Sequence, residues 1–266
     1  MNKFPISACV TTFNEEHNIH RCLQSLVWCD EIVVVDSFST DRTVELCRTY
    51  TDKVEQHAWL GYIGQKNLIR KMASHEWLLF VDADEEVSDA LREQIIAEFN
   101  KGPGEICGYE FPRMVNYMGR WIRHGEWYPD VKLRLFRKDR GRSGGQEPHD
   151  QVFVNGPIKR LRGHLYHFTY DDLYDHVETM NRFSTITARE KYREGQRFRW
   201  ADFVFRPPLR FLKAFFIKRG FMDGTRGFLI ALISSVGVYV KYAKLWELEI
   251  SEKHGTHRVR GSDKPS

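Results

Sequence analysis

Leu78-Leu79-Phe80-Val81-Asp82-Ala83-Asp84-Glu85 is an apolar run closed by two aspartates one residue apart. With Trp77 ahead of it, the run has no polar alternation and reads as a strand covered on both faces, the place of a strand inside a parallel sheet. Two carboxylates at such a strand end can turn toward one point in the following loop. Divalent cations prefer oxygen ligands of that kind, and a diphosphate would complete the shell.

The segments around it repeat the pattern. Ile6–Thr12 reads as a strand and residues 15–26 as a helix, and Glu31-Ile32-Val33-Val34-Val35-Asp36 reads as a second fully buried strand. Ser39-Thr40-Asp41 offers N-cap chemistry for a helix through Tyr50. A short strand near Val54 precedes a helix over 61–73. Residues 88–100 place Leu91, Ile95, Ile96 and Phe99 on one face of an amphipathic helix. This alternation predicts an α/β domain whose mostly parallel, Rossmann-like sheet is flanked by helices. Ligands of such sheets gather at the carboxyl ends of the strands, where Asp36, Asp82 and Asp84 fall.

From 108 to 168 the chain turns to short aromatic and β-branched segments punctuated by Gly and Pro, a hairpin-and-loop texture. Residues 170–194 return to a helical pattern, and 254–266 are polar, lack periodicity and are expected to be disordered. The expected organisation is a catalytic domain over 1–168, with a ligand-binding half at 1–100 and an acceptor-binding half at 101–168. A helical region over 169–253 follows. At 266 residues with 42% hydrophobic and 29% charged residues, the chain is an ordinary globular one. A net charge of +4 is too small to call for nucleic acid, and no such partner is expected. Five cysteines without a Cys-x-x-Cys pair indicate neither a disulfide framework nor a zinc site, and fit a reducing cytoplasm.

Gly144-Gly145-Gln146-Glu147-Pro148-His149-Asp150 is a glycine-opened loop carrying two possible general bases and one possible metal ligand. Asp150 is taken as the base with Glu147 as the alternative, and His149 as a metal or phosphate contact. The other reading is a solvated polar turn. Ahead of this loop, Trp127 and Tyr128 sit near Arg113 in a stretch rich in aromatics and arginines. Aromatic faces stack on sugars and guanidinium forks grip phosphates, so these residues are candidates for an anionic glycan acceptor. A hairpin whose aromatics pack on the core would look the same.

Four blocks together resemble the inverting nucleotide-sugar transferases of glycosyltransferase family 2, which have the GT-A fold. They are Val10-Thr11-Thr12-Phe13-Asn14-Glu15-Glu16, Val35-Asp36-Ser37-Phe38-Ser39-Thr40-Asp41-Arg42-Thr43, Gly64-Gln65-Lys66-Asn67 and Asp82-Ala83-Asp84-Glu85. The resemblance implies that Thr12, Glu15 and Asp36 line a pocket for uracil and ribose and that Asp82 approaches the ribose. It further implies that Asp84 binds the Mg2+ or Mn2+ bridging the donor's phosphates, and that Lys66 faces the nucleotide or its diphosphate. With Asp223-Gly224-Thr225-Arg226-Gly227, the whole chain looks like the lipopolysaccharide core β-1,4-glucosyltransferase branch of that family. That likeness implies UDP-glucose as donor and a heptose of the lipid A-core as acceptor. A transferase acting on a capsular, polyprenyl-linked or protein-linked glycan, or a catalytically silent nucleotide-sugar-binding module, are the competing readings. Gln196-Arg197-Phe198-Arg199-Trp200 matches a three-residue pattern of processive synthases and is read as coincidence.

Residues 206–219 carry basic side chains among aromatic and aliphatic ones and no acid. Leu209, Leu212 and Phe216 align at helical spacing, as do Phe211 and Phe215, which is the layout of an interfacial helix on an anionic membrane. Peripheral attachment to the inner face of the cytoplasmic membrane is therefore expected. The uncharged run 228–240 falls short of the ~20 residues that span a bilayer, so no transmembrane helix is expected.

Overall fold

The computed structural model describes residues 4–147, 149–170 and 172–254, without the side chains of His149, Lys253 and His254. The tail read as disordered lies outside the described residues beyond 254. By contacts the described residues divide into two units, 4–114 with Asp130–Phe168, and Val115–Pro129 with 169–254.

In the first unit, β1 (Ile6–Thr12), β2 (Glu31–Asp36), β3 (Val54–Gln56) and β4 (Trp77–Asp82) lie in the order β3-β2-β1-β4, all parallel. Helices α1 (Ile19–Gln24), α2 (Thr43–Cys47), α3 (Gly61–Met72) and α4 (Asp89–Lys101) alternate with them. Strand alternation sorts the side chains into two cores. Ala8, Val10, Val34, Leu79 and Val81 meet Leu23 of α1 and Ile95 of α4, whereas Cys9, Val33, Val35, Leu78 and Phe80 meet Ile69 of α3. Both faces are covered, as the unbroken apolar runs required.

Beyond β4 the sheet continues antiparallel. It uses β5 (Glu85–Val87), β6 (Gly108–Tyr117), β7 (Arg120–Trp121) and β8 (Asp130–Arg137), with β8 against β4 and β6 against β8. A separate two-stranded sheet pairs β9 (Gly141–Gln146) with β10 (His149–Val154). The main sheet is completed by β11 (Ile158–Arg160) beside β6 and by β12 (Leu165–Tyr170) beside β5. The fold is of the GT-A type, a parallel Rossmann-like half extended by antiparallel strands.

Three expectations are corrected here. The helix read from 15 starts only at Ile19, because the backbone N–H groups of its would-be first turn are taken elsewhere. Glu15 N donates to Thr43 Oγ1 at 2.8 Å and Glu16 N to the Asp41 carboxylate at 3.2 Å. The helix read from 39–41 is the five-residue α2, since Ser39 is engaged by Asp36 and Asp41 accepts from Thr43 N at 3.0 Å. On α4, Leu91, Ile95 and Phe99 are buried and Ser88 accepts from Leu91 N, but Ile96 is exposed.

The second unit gathers α5 (Leu173–Arg193), α6 (Trp200–Leu212), a π-helical turn Lys213–Ile217, a 3-10 turn Gly220–Asp223 and α7 (Gly224–His254). Residues 115–129, read as part of the acceptor-binding half of the first domain, belong here. The reason is apolar: Tyr117, Ile122 and Trp127 pack with Ile230 and Tyr170 in one small core. The Asp223-Gly224-Thr225-Arg226-Gly227 stretch ties the same segment down. Asp223 accepts from His124 N at 2.8 Å and Arg123 N at 3.2 Å, and a Cβ on Gly227 would stand 1.8 Å from Gly220 O.

The helical stretch read over 206–219 is split. It begins at Trp200, carries Pro207 and Pro208 inside α6, and ends at Arg219 with φ 58°. Trp200, Phe205, Leu209, Phe216, Ile217 and Met222 are each more than half exposed. The uncharged run 228–240 does not stop the helix that contains it. By length and composition Gly220–Glu252 could cross a membrane, with a mean hydropathy of 1.5 in its most apolar window, a third of which is buried. The expectation that no helix here reaches that length is corrected, because it counted only the uncharged residues.

Candidate active site

Register places three of the expected residues side by side at the carboxyl edge of the parallel strands. Thr12 pairs with Asp36 across β1 and β2, and Thr11 pairs with Asp82 across β1 and β4. Thr12 is buried and its Oγ1 has no hydrogen-bond partner, so a donor and acceptor stands unused at the edge. Asp36 is completely buried. It accepts from Ser39 N at 2.9 Å, from the Ser39 hydroxyl and from Gln56 Nε2 at 3.0 Å, and so holds the loop in which Phe38 adopts φ 62°. Glu15 is half-buried, and its carboxylate accepts from Asn18 Nδ2 at 2.9 Å.

From this edge a chain of charges runs through the unit. Lys66 of α3 lies 2.9 Å from Asp82 Oδ1 and 3.0 Å from Asp150 Oδ2, with its side chain 7% exposed. Arg134 of β8 reaches Asp82 Oδ2 at 2.5 Å and Glu85 Oε1 at 3.2 Å. Arg113 continues to Glu85 at 3.1 Å and to Asp130 at 2.8 Å, and Lys132 closes on Asp130 at 3.0 Å. Lys66, Arg113, Lys132 and Arg134 thus face Asp82, Glu85, Asp130 and Asp150, four charges against four. Asp84 stands outside that balance. Its carboxylate meets His167 Nε2 of β12 at 2.9 Å, and its carbonyl accepts from Phe168 N.

Opposing charges favour the ionised forms of Asp82, Asp84 and Arg134. Burial works to raise the pKa of Asp82, but Arg134 and Lys66 outweigh it and hold the carboxyl well below the usual carboxylate range. For Asp84 burial is likewise outweighed, here by His167, and the pKa is lowered although Asp82 opposes it. Burial would lower Arg134, and the carboxylates of Asp82, Glu85 and Asp150 raise it instead.

Glu147 and Asp150, the two candidate bases, have different surroundings. Glu147 accepts from Tyr62 N at 3.1 Å and Ile63 N at 3.0 Å, and so caps the first turn of α3. Gly61 makes room for it: at φ 82° a Cβ would stand 2.6 Å from Glu147 Oε1. Asp150 carries no such backbone load and faces Lys66. The side chain of His149 lies outside the described residues. Arg113, read as an acceptor contact, has its guanidinium committed to Glu85 and Asp130. Trp127 lies edge-on to Tyr117 at 5.3 Å in the core of the second unit, and Tyr128 precedes Pro129 across a cis peptide bond.

Arg134 and His167 were not singled out in the sequence. A signal existed for Arg134, a charge between Leu133 and Leu135 in a strand-like run, which needs a buried partner. No local pattern marks His167, whose partner is 83 residues away in sequence.

Among the described residues no group of three or more His, Cys, Asp or Glu side chains could hold a metal ion. Asp84 nevertheless offers the carboxylate that such a site takes, since Mg2+ is commonly held by one or two carboxylates together with substrate phosphates and water, and His167 Nε2 orients that carboxylate from 2.9 Å.

The model of glycosyl transferase family 2 matches residues 7–161. The lipopolysaccharide core biosynthesis glycosyltransferase LpsC of Rhizobium meliloti (strain 1021) is 32% identical over 252 residues, covering 92% of this chain and 93% of its own. Among solved structures, S. aureus TarS 1-349 in complex with UDP-GlcNAc is 16% identical with a TM-score of 0.48, covering 96% of this chain and 93% of its own. Glucosyl-3-phosphoglycerate synthase from Mycobacterium tuberculosis, in complex with Mg2+ and UDP, is 15% identical with a TM-score of 0.46, covering 73% and 80%.

Proposed function

This chain belongs to glycosyl transferase family 2, and from that premise we propose that it transfers glucose, with inversion, from UDP-glucose to the inner core of lipopolysaccharide. The observation that carries the reading is the pair Asp82 and Asp84 at the sheet edge, where Asp82 is joined through Lys66 to Asp150 and Asp84 faces His167. Likeness to LpsC supports the acceptor class. The donor sugar rests on the family resemblance of the site blocks.

In this reading Thr12, Glu15 and the loop held by Asp36 receive the nucleoside. Lys66 faces the diphosphate, and Asp82 approaches the ribose while Arg134 fixes its carboxylate. Asp84 would hold Mg2+ or Mn2+, with His167 orienting its carboxylate and His149 as a further contact, and a cation so held would supply positive charge against the departing diphosphate. As the acceptor hydroxyl attacks the anomeric carbon and the sugar–phosphate bond breaks, Asp150 accepts the hydroxyl proton on its carboxylate. Glu147, holding the start of α3, positions the helix that carries Lys66.

Attachment to the inner face of the cytoplasmic membrane belongs to the same proposal. The exposed Phe205, Leu209, Phe216 and Ile217 enter the interface, with Arg206, Arg210 and Lys213 at the headgroups.

Incubating the protein with UDP-glucose, Mn2+ and truncated lipopolysaccharide should release UDP. Asp84→Asn and Asp150→Asn should each slow that release by about a hundredfold or more. An unchanged rate in Asp84→Asn removes its metal role, and UDP release with no glucose on the saccharide removes the acceptor.

A further inference from the structure

At the far end of the first unit from Asp82 lies a cavity of about 510 Å³, lined among others by Arg70, Asp139, Arg140, Arg142, Phe153 and Asn155. It sits at the other end of the elements that build the active site. Helix α3 begins against Glu147, and near its last turn Arg70 Nη1 donates to Lys138 O at 2.9 Å. Lys138 follows Arg137, which pairs with Trp77, the first residue of β4. The hairpin β9–β10 likewise carries Asp150 at one end and pairs Arg142 with Phe153 near the other.

The lining is not what a structural surface needs. In β10, Val152 and Val154 alternate inward and pack with the core, which puts Phe153 on the outer face, where it is 47% exposed. A large aromatic there contributes nothing to the core. Arg142 stands over its ring at 5.8 Å. Three guanidinium groups share the cavity with a single carboxylate, Asp139, which sits 3.3 Å from Arg140. Arg70 Nε is buried and its Nη1 is held by Lys138 O, so this guanidinium adds fixed positive charge beside the cavity while Arg140 and Arg142 supply the donors that a ligand can reach.

We propose that this cavity is a second binding site, separate from the sheet edge, for a phosphate monoester of a small sugar. Arginine forks suit the phosphate, the phenyl face of Phe153 suits a sugar ring, and Asn155 offers an amide to its hydroxyls. The proposal does not depend on which donor or acceptor the active site takes.

Calorimetry on the full chain tests it, with glucose 6-phosphate and inorganic phosphate as probes in buffer containing EDTA. Glucose 6-phosphate should saturate the wild type and Asp84→Asn alike, with a Kd of about 1 mM or below. Arg142→Gln, an exposed change that leaves folding intact, should weaken it about tenfold or more. Phe153→Ala should weaken the sugar phosphate and leave inorganic phosphate unchanged. No saturable heat, or binding indifferent to Arg142→Gln, overturns the site. Equal affinity for the two probes overturns the sugar part of it.

Discussion

The sheet edge of the first unit and the α6–α7 surface of the second invert the usual partition of side chains in opposite directions. At the edge, Lys66, Arg134, Glu85 and Asp36 are buried, each tied to partners of its own unit. On the helical unit, Trp200, Phe205, Leu209, Phe216 and Ile217 stand in solvent. Buried charge and exposed apolar area are the two informative departures from ordinary burial, and they demand different explanations. Charges removed from water are retained where a fixed field is needed, and they survive only if paired. The charges of the first region find their partners within their own unit, whereas the apolar surface of the second is the face for which we propose a membrane contact.

The largest stability effect should come from breaking the first region. Arg134→Met removes the cation shared by Asp82 and the buried Glu85, and because Lys66 and Arg113 still face them the loss should fall at the lower end of the about 3–5 kcal/mol that breaking a buried pair costs. Arg206→Met removes a pair of similar length, with Asp202 at 2.5 Å, from a side chain 62% exposed, and should cost about 0–1 kcal/mol. Urea unfolding of the two variants compares them directly. Equal small losses would mean that the charge chain at the edge is not a cohesive element.

Acid should separate the two units next. His176 of α5 is buried against Tyr170, its Nδ1 bonded to the Tyr117 hydroxyl at 2.9 Å, and burial pushes its pKa from 6.5 down to about 4. A histidine with a lowered folded pKa contributes stability that is present above 6.5 and lost as pH falls toward about 4, because the unfolded chain takes up the proton first. Glu31, in the first unit, has its pKa moved from 4.5 to about 2. Burial opposes the shift, and Lys53, Ser7 and Ser74 carry it. Its contribution is present above 4.5 and lost only as pH falls toward about 2. Hydrogen exchange at pH 5 against pH 7 should therefore show loosening in 173–193 before 31–36, and His176→Gln should remove most of that early loss. Uniform loosening would contradict the assignment to His176.

The same contrast explains how much was legible in the sequence. The parallel half of the fold could be read because each buried strand there is a local apolar run, and the edge carboxylates follow directly from where those runs stop. Lys66 and Asp150 could be named, but not their 3.0 Å contact, because nothing local brings α3 to β10. Three residues apart in sequence, Glu147 and Asp150 look equivalent, and only the closeness of Gly61 makes one a helix cap. That 115–129 groups by contacts with the helical unit is not legible in the sequence, because its aromatics signal burial without naming the partner. That partner is Ile230, more than a hundred residues later. The amphipathic reading of 206–219 names Leu209, Leu212 and Phe216, which are exposed, but also Phe211 and Phe215, which pack on Phe228, and it does not see the break at Arg219, where φ is 58°.

The smallest effect on stability is expected on the helical surface, and it divides the two regions most sharply. Phe216 and Ile217, 55% and 76% exposed in the π-helical turn, lose little packing on replacement by Ser. Surface changes of this kind stay within about 0.5 kcal/mol each, so the double variant Phe216→Ser with Ile217→Ser should unfold in urea nearly as the wild type does. Flotation with vesicles containing anionic lipid should nevertheless fall, because the area removed is the area that would enter the interface. Raising salt should weaken the binding that remains, since it then depends on the basic side chains alone. If flotation persists while stability drops, these residues are packing groups and the second region resembles the first. If the wild type itself never floats, at low or high salt, the exposed apolar face has another partner than a membrane.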